Sequence, residues 1–144
     1  MENILVSACL FGKNTKYNGG NNYNKDVEKL TLKYNVVLYC PEVMGGLSTP
    51  RVPSEKLNDM VINKYGNDVT LEFNKGANLT LELCKKYNIT KAILKDGSPS
   101  CGSSYIYDGT FTGKRITGMG VTASLLKENN IIIYNEFEID KLLG

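Results

Sequence analysis

Four short apolar runs, separated by segments of helical periodicity, constrain the fold of this chain more than any other feature of its sequence. The runs cover 4–8, 36–39, 92–94 and 131–134. Runs of this length without a polar face are typical of strands buried on both sides of a sheet. Helices are expected between and after them, at 24–34, 71–87, 121–127 and 136–143. The alternation predicts an α/β fold, a Rossmann-like and mostly parallel sheet with helices on both faces.

Two stretches that lack clear periodicity are interpreted as long loops. The first, 41–56, is rich in Pro, Gly and Ser, and the second, 98–117, is polar and carries several glycines. Loops of this length in a compact domain are often functional. A short hairpin is predicted around Tyr65-Gly66, joining 61–64 to 67–69. No linker or internal repeat interrupts the 144 residues, so a single domain spanning 1–144 is expected.

The absence of histidine narrows the possible chemistry. Ser-His-Asp and Cys-His triads and all His-ligated metal sites are excluded. The net charge of +2 is small and dispersed, so no nucleic-acid partner is expected. The N-terminus does not resemble a signal peptide, and no apolar run approaches the ~20 residues of a membrane span. We therefore expect a cytoplasmic protein without membrane contact, whose four cysteines are ligands or reactive thiols and not disulfides.

Three of the cysteines follow predicted strands. Cys9 comes just after the first strand, Cys40 ends the second, and Cys101 lies in the loop after the third. Because the carboxyl ends of parallel strands share one edge of a sheet, these residues are expected to meet there. Three thiolates suit a soft metal centre, either zinc or iron–sulfur, although buried cysteine is also common as simple core packing. Neighbouring Pro, Ser and Gly favour the ligand interpretation, whereas Cys84 lies within a predicted helix and is interpreted as packing.

Polar residues beside these cysteines are candidates for acid–base and binding roles. Glu42, two residues after Cys40, is the best-placed carboxylate for activating water or moving a proton, but a solvated loop acid fits the spacing equally well. Ser98 and Ser100 precede Cys101 and could bind a substrate, a cluster or the local backbone. Arg51 either binds an anionic or carbonyl group or braces Glu55, and the brace is slightly favoured.

These residues fall within a set of motifs that resembles a known family over nearly the whole chain. The motifs are Val6-Ser7-Ala8-Cys9-Leu10, Cys40-Pro41-Glu42-Val43, Pro50-Arg51-Val52-Pro53, Leu94-Lys95, Ser98-Pro99-Ser100-Cys101-Gly102, Tyr107-Asp108-Gly109-Thr110-Phe111 and Gly118-Met119-Gly120-Val121-Thr122. Together they resemble the family formerly called domain of unknown function 523, which includes the 2-thiouracil desulfidases, in its minimal single-domain form.

The resemblance implies an enzyme that removes sulfur from a thiocarbonyl compound, such as 2-thiouracil or another thioamide, and releases sulfide without net redox change. It implies a [4Fe-4S] cluster held by Cys9, Cys40 and Cys101 with one open iron. Glu42 would transfer protons with help from Ser98 or Ser100. Substrate binding would fall to Ser7, Arg51 and Lys95.

One departure from the family pattern and two other functions remain open at this point. The family usually has Arg-Tyr-Asp-Gly where this chain has Lys16-Tyr17-Asn18-Gly19, and Lys cannot reproduce the planar fork of Arg. The first alternative is a zinc-binding or cluster-binding module without catalysis. The second is a metal-free thiol enzyme or sulfur carrier that uses Cys101 as the nucleophile.

Overall fold

Eight strands and five α-helices make up the regular structure of the protein, described here from a computed structural model that covers residues 1–144. The strands are β1 (Glu2–Ser7), β2 (Tyr34–Tyr39), β3 (Ser54–Leu57), β4 (Met60–Asn63), β5 (Lys91–Ile93), β6 (Tyr105–Tyr107), β7 (Arg115–Thr117) and β8 (Ile132–Tyr134). The helices are α1 (Lys25–Glu28), α2 (Pro41–Met44), α3 (Thr70–Lys86), α4 (Val121–Glu128) and α5 (Asp140–Leu143). None of the helices has the length and apolar character that crossing a lipid bilayer requires.

The central sheet has the strand order β2-β1-β5-β8, and every neighbouring pair is parallel. β1 is paired on both sides, with Leu5 opposite Val37 on one flank and Ala92 on the other. A strand paired on both edges and covered on both faces must be apolar throughout, which explains its continuous apolar run. The predicted parallel α/β fold is therefore confirmed, and the carboxyl ends of β1, β2 and β5 lie side by side at one edge.

Helices cover both faces of the sheet, as predicted. Successive side chains of β1 alternate between the two faces. Ile4 and Val6 pack against Val27 of α1 and Leu142 of α5, in the first of two buried apolar clusters. Leu5 faces the opposite way, into the second cluster, which is completed by α3 and α4 and includes Cys84. The interpretation of Cys84 as core packing agrees with this position.

Three local expectations were only partly met. The hairpin predicted around Tyr65-Gly66 is reduced to a single antiparallel bridge between Ile62 and Asp68, and β4 forms its full ladder with β3 instead. β3 escaped notice because Ser-Glu-Lys-Leu shows no apolar alternation. The helix expected over 24–34 ends at Glu28 and continues as a 3-10 turn over Lys29–Leu32. The closing helix is only Asp140–Leu143, since the residues after β8 turn back in buried hydrogen bonds.

Both predicted long loops contain regular structure. The segment 41–56 starts with α2, which has Pro41 at its first position, a favoured place because that N–H has no helical partner. The segment 98–117 contains the antiparallel pair β6–β7. This pair packs through β6 on β3 of the other hairpin. The two hairpins stand beyond the carboxyl edge of the sheet and form an outer wall facing it.

Candidate active site

A cavity of about 570 Å³ lies between the carboxyl edge of the sheet and the two hairpins. All nine residues singled out from the sequence line it, namely Ser7, Cys9, Cys40, Glu42, Arg51, Lys95, Ser98, Ser100 and Cys101. Cys84 does not. The structure therefore brings together residues that are far apart in sequence, and it does so where the strand topology predicted.

Each of the three cysteines is placed by the turn that ends its strand. Cys9 lies in a 3-10 turn, Ala8–Phe11, directly after β1, and its carbonyl accepts from the N–H groups of Gly12 (3.2 Å) and Asn22 (2.9 Å). Cys40 is the residue before α2, at the end of β2. A side chain at Gly76 of α3 would overlap the carbonyl oxygen of Pro41, so glycine at that position lets α2 and Cys40 sit tightly against α3.

Cys101 is fixed by the loop after β5 and by the start of α4. The Ser98 hydroxyl oxygen accepts from the N–H groups of Ser100 and Cys101, both at 3.1 Å. The carbonyl of Ser100 accepts from the first turn of α4, from the N–H groups of Thr122 (2.9 Å) and Ala123 (3.0 Å). Gly120 approaches the Ser100 backbone so closely that a Cβ there would overlap it. The helix terminus therefore holds this loop rigidly against the sheet.

Two of the three sulfur atoms lie within reach of hydrogen-bond donors, and all three are partly or fully withdrawn from water. Asn22 donates from Nδ2 to Cys9 Sγ at 3.4 Å. The single proton of the Ser100 hydroxyl can be donated either to Cys101 Sγ at 3.5 Å or to Glu42 Oε2 at 3.1 Å. Burial raises the pKa of the Cys9 thiol, although the bond from Asn22 acts in the opposite direction. Burial raises the pKa of Cys101 to about 12, against the opposing hydrogen bonds from Ser100 and Ser7. The Cys40 sulfur adds to both increases, so the three thiols lie near enough to influence one another.

The donor set fits a soft, multinuclear metal group. Because burial raises the pKa of Cys9 and of Cys101, these two thiols would become thiolates only beside a strong positive charge. Together with Cys40 they form a set of three soft ligands, a type that selects iron–sulfur, zinc or copper(I) centres. The hydroxyl of Thr15, at the cavity wall, is buried without a hydrogen-bond partner. No three Cys, Asp or Glu side chains lie close enough to share one metal ion, and a cluster of several metal atoms accepts ligands at wider spacing than one ion does.

Glu42 is the centre of a second network on the same wall. One carboxylate oxygen accepts from Arg51 Nε at 3.1 Å, and the other accepts from the hydroxyls of Ser98 (3.3 Å) and Ser100 (3.1 Å). The side chains of Glu42 and Arg51 are only 15% and 9% exposed. This pair is thus shielded from solvent. In such shielded positions, ion pairs and charge-assisted hydrogen bonds are stronger than at the surface.

The favoured pairing of Arg51 with Glu55 was wrong. Besides Glu42, Arg51 donates to Ser48 O, Thr49 Oγ1 and Thr15 O, so four of the five guanidinium N–H donors are used within the protein. Glu55 instead accepts from the backbone N–H groups of Gly109 (3.0 Å) and Phe111 (3.1 Å) in the β6–β7 loop. The chain path between 45 and 51, which could not be predicted from periodicity, folds Arg51 back onto Glu42.

Lys95 presents a cation to the cavity. Its ammonium donates to the Asp96 carbonyl at 2.8 Å and pairs with Glu136 at 3.0 Å. Burial alone would lower the pKa of Lys95, but the hydrogen bond and charge of Glu136 outweigh it and raise the pKa. Ser7 lies beneath, where its hydroxyl oxygen accepts from the Lys95 backbone N–H at 3.0 Å. Glu136 was missed as a site residue, because the sequence pattern placed it only at the start of the closing helix.

Asp96, the second missed residue, anchors the loop that carries Ser98, Ser100 and Cys101. It is 2% exposed. Its carboxylate accepts from the backbone N–H groups of Ser103, Ser104 and Tyr105, from the Ser104 hydroxyl and from Asn135 Nδ2. Burial alone would raise the pKa of Asp96, but the hydrogen bonds from Ser104, Ser103 and Tyr105 together lower it.

The departure from the family pattern at Lys16 and Asn18 has a local explanation. The Asn18 side-chain oxygen accepts from the Gly20 N–H at 2.9 Å, a contact that an aspartate oxygen would also make. Lys16 lines the cavity, and its ammonium lies 5.9 Å from the centre of the Tyr17 ring. The turn is closed by backbone bonds from the Lys16 N–H to the Gly20 carbonyl and from the Gly19 N–H to the Lys16 carbonyl, so its shape does not depend on an Arg–Asp ion pair.

The fold and the cavity define a class of protein, an α/β protein with a three-cysteine and one-carboxylate site at the carboxyl edge of its parallel sheet. The sequence profile of the 2-thiouracil desulfurase family matches residues 4–138, and the chain belongs to this family. It is 42% identical to the uncharacterized protein YbbK of Bacillus subtilis (strain 168), over 97% of this chain and 99% of that protein. A solved structure of the [4Fe-4S]-dependent thiouracil desulfidase TudS superposes with a TM-score of 0.94 at 41% identity, covering 99% of this chain and 96% of the other.

Proposed function

We propose that the protein is an iron–sulfur desulfidase that hydrolyses the thiocarbonyl group of 2-thiouracil or a closely related thiolated base. The observation that carries this proposal is the convergence of three cysteines and the Glu42 network on one cavity. The overall change replaces a C=S bond with C=O, consumes one water and releases one sulfide as H₂S or HS⁻. Carbon keeps its oxidation state, so no electron donor or acceptor is required.

Cys9, Cys40 and Cys101 would hold a [4Fe-4S] cluster and leave one iron without a protein ligand. When bound, the cluster supplies a soft Lewis acid that attracts the substrate sulfur. The chain supports it with hydrogen bonds to sulfur from Asn22 and Ser100, a type of contact that orients thiolate ligands and tunes their electron density.

Glu42 would handle the protons. Its Oε2, which accepts from two serine hydroxyls in the cavity, is placed to take a proton from the attacking water and return it to the departing sulfur. Arg51 donates to the other oxygen, Oε1, so the carboxylate keeps one orientation while Oε2 gains and loses the proton. Ser98 and Ser100 relay or stabilise that proton, and both also fix the loop at Cys101.

Lys95 would bind the polar edge of the substrate. Its raised pKa keeps it cationic at neutral pH, and it lines the cavity together with Cys9. A cation here favours the oxygen or the deprotonated nitrogen of a thiolated pyrimidine. Arg51 retains one uncommitted N–H donor for the same purpose, whereas Ser7 acts from below by supporting the Lys95 backbone.

A metal-free thiol enzyme fits the site less well. The thiolate, not the thiol, is the nucleophile, and burial raises the pKa of Cys101 to about 12. No basic side chain donates to its sulfur; the only donors are hydroxyl groups. A protonated, buried thiol of this kind is inert near neutral pH without a metal.

Anaerobic purification and reconstitution, followed by a sulfide-release assay with 2-thiouracil, test the proposal. We expect about four irons per chain, brown colour and uracil formed in equal amount to sulfide. Cys9→Ser, Cys40→Ser and Cys101→Ser should each lose iron and activity. A colourless protein that binds one zinc, or an iron-loaded protein that releases no sulfide, would refute the desulfidase assignment.

A further inference from the structure

One aromatic residue of the outer wall has a backbone conformation that its side chain disfavours. Four non-glycine residues have positive φ, and three of them are asparagines, Asn58, Asn88 and Asn130. Asparagine tolerates the left-handed region because its short polar side chain can bond locally. The fourth is Phe111, with φ of 59°. A bulky aromatic side chain gains nothing from this conformation, so its presence requires another explanation.

Phe111 is held in place by Glu55 of β3. One oxygen of that carboxylate accepts from the backbone N–H groups of both Gly109 and Phe111, at 3.0 and 3.1 Å. Gly109, itself at positive φ, packs against Leu57 of the same strand, where a Cβ would meet the Leu57 side chain at 3.0 Å. The loop between β6 and β7 is therefore clamped to the other hairpin on both sides of Phe111.

The clamp places Phe111 at the wall of the cavity that also contains the three cysteines. Tyr105 also lines this wall, but one face of its ring is covered by the Arg115 guanidinium at 4.3 Å, and its hydroxyl end packs on Gly97. Phe111 is only partly buried and has no such cation over its ring. Of these two aromatic residues of the outer wall, Phe111 is the one whose ring is not already covered by a cation.

We propose that Phe111 is the surface on which the planar ring of the thiolated substrate stacks, and that Glu55 is the positioning residue that holds Phe111 in its left-handed conformation. This inference rests on the proposed desulfidase function and adds its specificity element: the site selects a flat heteroaromatic thiocarbonyl. Aromatic stacking tolerates differences among bases because every base has a π face. The turn itself would form more easily with glycine or asparagine at this position. Substrate binding is then the reason that the chain keeps the strained Phe111.

Steady-state kinetics on the iron-loaded protein with 2-thiouracil test the role of Phe111. Phe111→Tyr keeps a ring and should keep KM within about twofold. Phe111→Leu keeps apolar volume and the same backbone strain but has no flat face, and its KM should rise about tenfold, the size of one lost stacking contact. kcat should change by less than about threefold in both, because Phe111 moves no proton.

A further variant, Phe111→Gly, separates the loss of substrate binding from the loss of packing in the folded protein. Phe111→Gly should raise KM as Phe111→Leu does, without lowering Tm by more than about 2 °C, since glycine relieves the left-handed strain. Asn88→Gly, at a positive φ far from the cavity, should change neither KM nor kcat. An unchanged KM in Phe111→Leu, or a KM that rises only together with a fall in Tm of more than about 5 °C, overturns the proposal.

The Glu55 variants test the positioning role. Glu55→Gln retains an oxygen that accepts both N–H groups and should keep the wild-type KM, whereas Glu55→Ala should copy the raised KM of Phe111→Leu. A wild-type KM in Glu55→Ala would overturn the role of Glu55. If the iron-loaded wild type itself releases no sulfide, the proposed function fails and this inference with it; if the wild type turns over normally and Phe111→Leu matches it, only this inference fails.

Discussion

The two walls of the cavity are built in opposite ways. The inner wall consists of turns that directly follow β1, β2 and β5, and its polar groups are buried and multiply hydrogen-bonded. The outer wall consists of two short hairpins, β3–β4 and β6–β7, whose contacts with the rest include Lys56 Nζ to Met119 O at 3.1 Å and Val61 N–H to Thr70 Oγ1 at 2.9 Å. If the proposed roles hold, the reacting groups are fixed by the sheet, while the proposed stacking surface at Phe111 sits on hairpins that can vary without disturbing the sheet.

The largest effect expected from this contrast is catalytic and lies on the inner wall. Glu42→Gln should lower kcat for sulfide release by about 10²–10⁴-fold, the usual contribution of a general acid–base group. Its iron content should stay at the wild-type level, because the Gln oxygen can still accept from Arg51 while the Gln NH₂ group donates to the serine hydroxyl oxygens. Iron analysis and sulfide release on the same sample make the measurement, and wild-type turnover would remove Glu42 from the mechanism.

The next effect is on stability and compares one aspartate from each wall. Asp96→Ala should lower the free energy of unfolding by about 3 kcal/mol, because it strands the buried N–H groups of Ser103, Ser104 and Tyr105. Asp108→Ala, at the tip of the outer hairpin, removes contacts to Thr110 that are exposed, and should barely change the denaturation midpoint. Chemical denaturation measures the free energy of unfolding of both variants. Equal losses of this free energy would mean that the two walls do not differ in rigidity.

A smaller, pH-dependent effect follows from the lowered pKa of Asp96. A carboxylate with a depressed native pKa stabilises the fold above its unfolded pKa, here about 3.9, and loses that contribution as pH falls through the native value. The difference in unfolding free energy between wild type and Asp96→Asn should therefore shrink as pH falls below about 4. Denaturation curves at pH 7, 5, 4 and 3 measure it; a constant difference would contradict this cause.

The smallest expected effect is that of replacing Cys84, which lies in the core and not in the inner wall of the cavity. Cys84→Ala should leave iron content and sulfide release unchanged, because Cys84 packs among Leu94, Ala123 and Leu126 on the other side of the sheet from Cys9. Burial raises the pKa of its thiol to about 11, as for an inert packing cysteine. The variant should lose about 1 kcal/mol of stability through the small cavity it leaves. Loss of iron would mean that the ligand set includes this residue.

The inner wall was largely predictable from the sequence and the outer wall was not. Cys9, Cys40 and Cys101 could be placed together because buried parallel strands leave little freedom in where their ends lie. Glu42 and Ser98 were candidates from their positions beside these cysteines, and the motif resemblance added Lys95; all three line the cavity. Glu136 and Asp96 were missed because recognising them needed the register of β8 against β5, which periodicity does not give.

The outer wall depends on contacts between segments that carry no periodic signal. β3 has the polar sequence Ser-Glu-Lys-Leu and becomes a strand only by pairing with β4 and packing on β6. The partner of Arg51 and the role of Glu55 follow from the path of irregular chain, which tertiary packing decides. The left-handed conformation of Phe111 has no local sequence cue, since residues that favour it are glycine and asparagine.

The strand order has a consequence for how the protein matures. Cys9, Cys40 and Cys101 follow three different strands, and β1 must pair with both β2 and β5 before their ends are adjacent. Parallel pairing of distant segments is slow and comes with the cooperative formation of the whole sheet. In a partly folded chain the three cysteines are consequently far apart, and each could bind a metal only by itself. Insertion of the proposed cluster would therefore report on completed folding, and a group bound to all three cysteines would act as a cross-link that resists separation of the three strand ends.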